Sequence, residues 1–176
     1  RAGRERQARF MLVGETSPAR DGELEAILEE LKKPVYLEDE VLGRFTLDRQ
    51  VNWFEADVDW LGQTVRLSFD WDEDEAMEDS LRTAKALMAD QEEWNRRVLS
   101  RASEDLLELK NDSWLEEDEE ELDAEKFEAC LELESIEVRP EGEFCFWFAD
   151  GELFWGHSIT VEGTLEGGPE QADIQG

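Results

Sequence analysis

From Val35 to Trp71 apolar and polar residues alternate with the period of two that a half-buried β-strand requires. Val41 to Leu47 reads as one strand, and Val51 to Trp60 with Gln63 to Phe69 reads as a hairpin about Leu61-Gly62. With that turn at the centre, Val58 faces Val65, Ala56 faces Leu67 and Phe54 faces Phe69, while Asp57 faces Arg66. The apolar pairs then share one side and the charge pair takes the other; a slip of one residue would destroy the agreement. Leu-Gly is a poor type I′ turn, so a looser loop with the same register is an alternative.

The period changes to that of a helix from Glu75 to Lys110, where Met77, Leu81, Ala84, Met88, Trp94, Val98, Ala102, Leu106 and Leu109 lie close to one stripe. Asp90 with Glu93 forms a D-x-x-E signature, which predicts two helices meeting there and not one long one. Asn111-Asp112-Ser113 breaks the pattern, and the unbroken acidic run Glu116 to Glu121 reads as a solvated loop. Asp123 then caps a short helix through about Cys130 that contains Phe127. The last third returns to β as a meander of Leu131 to Arg139, Glu143 to Ala149 and Glu152 to Gly163. Asp150-Gly151 is a strong hairpin signal. About that turn Phe148 faces Leu153, Phe146 faces Trp155 and Phe144 faces His157, with Trp147 and Phe154 on the other side. Both faces are aromatic, as expected of a hairpin covered on each side, or covered on one and bound to a partner on the other.

At the front of the chain, Phe10 to Val13 is a short apolar run with strand character. Ser17-Pro18 opens a helix through about Lys33, with Leu24, Ile27, Leu28 and Leu31 at helical spacing, and Pro34 ends it. The predicted fold class is α+β: an antiparallel, aromatic-rich sheet of two hairpin or meander units packed against an amphipathic helix pair. The predicted organisation is a basic arm plus short helix over 1–33, one domain over 34–167 and a flexible tail over 168–176.

The stretch Phe146-Trp147-Phe148-Ala149-Asp150-Gly151-Glu152-Leu153-Phe154-Trp155-Gly156-His157-Ser158-Ile159 resembles the bacterial family known as domain of unknown function 2262. Gly43-Arg44-Phe45-Thr46-Leu47-Asp48, Asn52-Trp53-Phe54-Glu55 and Trp60-Leu61-Gly62 are similar to the upstream part of the same pattern, so the likeness covers roughly residues 35–165. It implies a bacterial cytoplasmic α+β domain and brings with it no activity and no catalytic residues. Small acidic bacterial domains of this general type often resemble immunity proteins that neutralise a toxin, an association and not a site argument.

Charge changes this picture most. The chain carries 48 acidic against 18 basic residues, a formal net charge of −30. Such a surface repels nucleic-acid phosphates and anionic membranes and attracts cationic partners. The balance is uneven, because the first 20 residues hold Arg1, Arg4, Arg6, Arg9 and Arg20 against Glu5 and Glu15. Cys130 and Cys145 are the only cysteines, and neither an apolar leader core nor a bilayer-spanning run is present, which points to a reducing cytoplasm with free thiols.

Candidate chemistry is sparse. His157 is the only histidine, and Ser158, its neighbour on a strand, points the other way, as does Cys145. Its ring is expected to pack on the sheet and bond a carboxylate or carbonyl; an enzyme would have to use His157 or a carboxylate pair. Two cysteines and one distant histidine lack the paired spacing of a zinc site, and Asp70-x-Asp72-x-Asp74 lacks the later ligands of a calcium loop. No metal and no cofactor are expected. Nucleotide-binding and hydrolase motifs are absent.

The sequence therefore points to protein binding. Trp71 between Asp70 and Asp72, with Asp74 beyond, and Trp114 before Glu116, Glu117, Asp118, Glu119, Glu120 and Glu121, are aromatic anchors among carboxylates. The expected partner is a basic protein such as a toxin or a nucleic-acid-binding enzyme. Three alternatives stand beside this reading: a nucleic-acid mimic that blocks such an enzyme, an enzyme using His157, and a surface whose acidity serves solubility alone.

Overall fold

The computed structural model describes Gly22, residues 24–27, Glu29, and residues 33–72, 74–115 and 119–176. By compactness the chain divides into Arg1–Pro34 and Val35–Gly176. In the first unit Gly22, residues 24–27 and Glu29 are helical, within the helix the sequence predicts; the strand expected over Phe10 to Val13 lies outside the described residues.

In the second unit one eight-stranded sheet runs in chain order: β1 (Tyr36–Asp39), β2 (Gly43–Asp48), β3 (Trp53–Trp60), β4 (Gln63–Asp70), β5 (Glu132–Val138), β6 (Glu143–Ala149), β7 (Ser158–Thr164) and β8 (Gly168–Gln175). Every neighbouring pair is antiparallel except β4 and β5. Between those two the chain crosses over through α1 (Asp74–Ala89), α2 (Gln91–Ser113) and α3 (Ala124–Cys130), as a parallel pair requires. The fold is α+β. Among the described residues no helix is long and apolar enough to cross a membrane.

The β3–β4 register is the one the sequence predicts, with Val58 opposite Val65, Ala56 opposite Leu67, Phe54 opposite Phe69 and Asp57 opposite Arg66. The turn is tight despite its residues, for Leu61 and Gly62 both take positive φ, 52° and 87°. Gln91 at the start of α2 holds it: its side-chain oxygen accepts the Leu61 N–H at 3.0 Å, and its nitrogen donates to the Asp59 carbonyl at 2.9 Å. A tertiary clamp thus overrides poor local turn chemistry.

Across the sheet, Ala56, Leu67, Ile136, Phe146, Val161 and Ala172 form a continuous apolar row over six strands. The helices cover this face, with the Trp94 ring of α2 edge-on to Phe144 at 5.3 Å. The parallel row on the other face reads Glu55, Ser68, Glu137, Cys145, Glu162 and Gln171, polar but for one buried thiol. Trp147 stands half-buried on that polar face, between Ser135 and Thr160.

The helix break falls at Asp90 as expected, although the Asp90 carboxylate makes no capping bond. On α2 the buried stripe is Trp94, Val98, Ala102, Leu106 and Lys110, at a constant spacing of four. Leu109, assigned to the stripe from sequence, is exposed, and Lys110 takes the buried place. Asp123 caps α3 by accepting the Lys126 N–H at 2.9 Å, and Phe127 is buried beneath it.

Two expectations are corrected in the last third. Asp150-Gly151 does not turn a tight hairpin: Phe148 faces Ile159, Phe146 faces Val161 and Phe144 faces Gly163, and residues 150–157 form an irregular loop between β6 and β7. The tail over 168–176 is not free, because Gly168–Gln175 is strand β8, paired with β7. Its Gly, Pro, Glu, Gln and Asp residues have low strand propensity, but an edge strand tolerates Pro near its start. The Ala172 N–H is taken at 2.8 Å by the Asp105 carboxylate of α2, which protects this edge of the sheet.

Candidate functional site

The loop of residues 150–157 is built around one carboxylate. Asp150 is 3% exposed and accepts three backbone N–H groups, from Glu152 at 3.1 Å, Phe154 at 2.6 Å and Gly156 at 3.2 Å. Gathering donors at i+2, i+4 and i+6 coils the chain back on itself in place of a two-residue turn. Gly151 runs at φ +58°, and a Cβ there would lie 2.3 Å from the Cys130 carbonyl oxygen. The Asp-Gly pair is therefore required by loop packing, which is how a hairpin signal came to mark a different structure.

The coil sends Leu153 and Phe154 into the core and turns Trp155 outward. Phe154 meets the Trp114 ring edge-on at 5.4 Å, and Trp155 meets the same ring at 4.8 Å. Trp155 is 64% exposed, the most exposed indole among the described residues, and it sits at φ 59°. Glu152 is also exposed at a positive φ, 68°. Left-handed backbone costs roughly 1–2 kcal/mol for residues with a Cβ, so the surrounding packing must hold Trp155 and Glu152 there.

His157 closes the loop. Its Nδ1 lies 2.5 Å from the Phe154 carbonyl oxygen, which can only accept, so Nδ1 is the donor of this bond. The ring packs edge-on to Trp114 at 5.8 Å, and a Cβ on Gly176 would fall 2.0 Å from its Cδ2. The geometry is that of a histidine bonded to a carbonyl and wedged among neighbours.

Beside the loop lies a cavity of about 480 Å³, lined by Lys110, Glu119, Leu122, Cys130, residues 151–153 and Trp155. Lys110 is 2% exposed, and its ammonium donates to the Trp114 carbonyl at 2.9 Å and to Glu119 Oε2 at 2.7 Å. A buried ammonium needs such acceptors, and this one draws the segment from Glu119 onward against the end of α2. Asn111 fixes the far end of that segment: its side-chain amide donates to the Leu122 carbonyl at 2.8 Å and accepts the Leu122 N–H at 3.0 Å.

The residues singled out from sequence are thus divided. Trp114 is half-buried and serves as the wall against which Phe154, Trp155 and His157 stack. Glu119, Glu120 and Glu121 are beside it or near it in the chain, with Glu119 on the cavity wall. Glu116, Glu117 and Asp118 lie outside the described residues. Trp71 is 45% exposed, edge-on to Phe54 at 6.4 Å, with exposed Asp70 and Asp72 on either side and Asp74 opening α1. Asp72 lines a second cavity with Glu75, Ala76, Asp79, Arg82 and Pro140, which shares no residue with the first.

Sequence reasoning missed Trp155, Glu152, Asp150 and Lys110. The sequence pairs Trp155 with Phe146 across a hairpin and takes Lys110 only as the last residue of a helix. One signal for Lys110 was available, its place four residues beyond Leu106 on the buried stripe.

Both cysteines are free thiols. Burial, with Glu162 and Glu137 on the flanking strands, pushes the Cys145 thiol up to about 12 against the opposing pull of Arg139. Among the described residues no group of three or more His, Cys, Asp or Glu is placed to hold a metal ion.

No curated protein and no solved structure matches the chain. Residues 39–174 match the family described as "Uncharacterized protein conserved in bacteria (DUF2262)", a span that runs from the last residue of β1 nearly to the end of β8. The chain belongs to this family.

Proposed function

We propose that this domain is a non-enzymatic protein-binding module that engages a basic partner through the loop of residues 150–157 and the acidic residues from Glu119 to Glu121. The observation that carries the reading is Trp155, an indole 64% exposed on a backbone that disfavours it, at the rim of a cavity walled by Glu119 and Glu152. An aromatic side chain held rigidly on a well-packed base loses little freedom on binding, and aromatic residues dominate the energetics of protein interfaces. Trp114 and Phe154 are that base. The net charge of −30 supplies long-range attraction, which raises the rate of encounter with a cationic surface and disfavours acidic competitors. An immunity-like role toward a basic toxin or nuclease is the sharpest form of this proposal, and the cytoplasm is its expected setting.

The test replaces Glu119, Glu120, Glu121 and Glu152 with Gln, and in a second variant Asp70, Asp72 and Asp74 with Asn. Partners captured from a bacterial lysate are compared at low and high salt. Loss of salt-sensitive basic partners in the first variant, with retention in the second, is the expected result. Capture unchanged in both variants would contradict the electrostatic account.

A further inference from the structure

The cavity beside Trp155 has a more specific chemistry than a general acidic surface. Its lining includes the apolar side chains of Leu122 and Leu153. One wall is the exposed Trp155 indole, and two carboxylates, Glu119 and Glu152, stand around it. Among the described lining residues the one cation, Lys110, is already bonded to the Trp114 carbonyl and to Glu119. An anionic ligand would have to displace Glu119 from Lys110 and enter against the field of a strongly acidic chain, so a cation is the favoured occupant. The carboxylate of Glu152 is exposed and, among the described residues, makes no ion pair or side-chain hydrogen bond.

From these observations we infer that the cavity is a receptor for a single arginine side chain of the partner. The aliphatic stem would lie on Leu122 and Leu153, the guanidinium plane on the Trp155 indole, and its N–H groups on the Glu152 and Glu119 oxygens. Arginine fits better than lysine because its flat, weakly hydrated head stacks on an aromatic face and forks onto carboxylates at once. At about 480 Å³ the space admits a long side chain and adjoining backbone. This inference rests on the protein-binding reading and makes it specific.

The probes are blocked tripeptides Gly-X-Gly, with X as arginine, lysine, citrulline or glutamate. Citrulline keeps the shape of arginine without its charge. Binding is followed by NMR through the seven indole N–H signals, with that of Trp155 assigned from Trp155→Phe. The arginine peptide is expected to move the Trp155 signal most, lysine less, and citrulline and glutamate least. Glu152→Gln and Trp155→Ala should each weaken the arginine peptide by roughly threefold to tenfold. The signals of the buried indoles, such as Trp60, report that the variants stay folded. Equal binding of arginine and citrulline, tighter binding of glutamate, or a response confined to Trp71 would each overturn the receptor. If no peptide binds while capture of a basic protein still depends on Trp155, the arginine receptor falls and the binding module stands. If neither depends on Trp155, both fall.

Discussion

Asp150 decides where Trp155 points. Its buried carboxylate satisfies three N–H groups of the loop, and charge-assisted bonds of this kind are about twice as strong as neutral ones. Asp150→Ala leaves those donors without partners and is expected to cost about 2–3 kcal/mol. Asp150→Asn keeps one acceptor oxygen and should cost less. Urea denaturation of the three proteins measures the order; equal stability of wild type and the alanine variant would show that the loop does not depend on this carboxylate. The cysteines separate on the same scale. Cys145 is buried with its thiol pushed up to about 12 from an ordinary 9.0, so its folded form holds its proton where the unfolded form has lost it. Stability is fully present below pH 9 and declines as pH rises from there toward 12. Cys145→Ser should flatten that decline in pH-dependent unfolding. At pH 8 iodoacetamide should label half-buried Cys130 and leave Cys145 unmodified in the native protein, a result read directly by mass spectrometry.

At the scale of elements, strand β8 is the least obvious and most exposed test. It buries Ala172, pairs along the length of β7 and offers its outer edge to Asp105. Removing residues 168–176 should uncover the edge of β7, with Ile159 and Val161, and convert the protein into an aggregating species. Light scattering of the shortened chain measures this; a soluble, cooperatively unfolding product would contradict it. What the sequence made legible follows the same elements. The β3–β4 register was readable because three apolar pairs and one charge pair agree only in one alignment. The Asp90 break and the Asp123 cap were readable from short-range chemistry. The β6–β7 connection was not, because Asp150-Gly151 serves a hairpin turn and a coiled loop equally well, and the contact that chooses is with Cys130 in another element. Strand β8 was hidden because its residues have no strand preference of their own and are held by β7 and α2. The candidate site divides accordingly: Trp114 and Glu119, singled out from sequence, lie beside the loop, whereas the outward-facing indole of Trp155 was hidden by the mistaken hairpin.

Across the unit Val35–Gly176, α1 to α3 and the apolar row occupy one side of the sheet, and the opposite row is carboxylate-rich from Glu55 to Glu162. Acidity is therefore general, and what distinguishes the loop of residues 150–157 is an accessible indole fixed within it. General acidity acts over about 10 Å at 0.1 M salt and fades as salt rises, whereas the indole acts by contact and persists. The two contributions separate by experiment. Immobilised wild type and Trp155→Ala, each offered the same bacterial lysate at low and at moderate salt, should recover overlapping sets of basic proteins at low salt. At moderate salt the wild type alone should retain a small subset. Identical sets on both proteins at both salt concentrations would contradict the account, since Trp155 would then contribute nothing that charge does not.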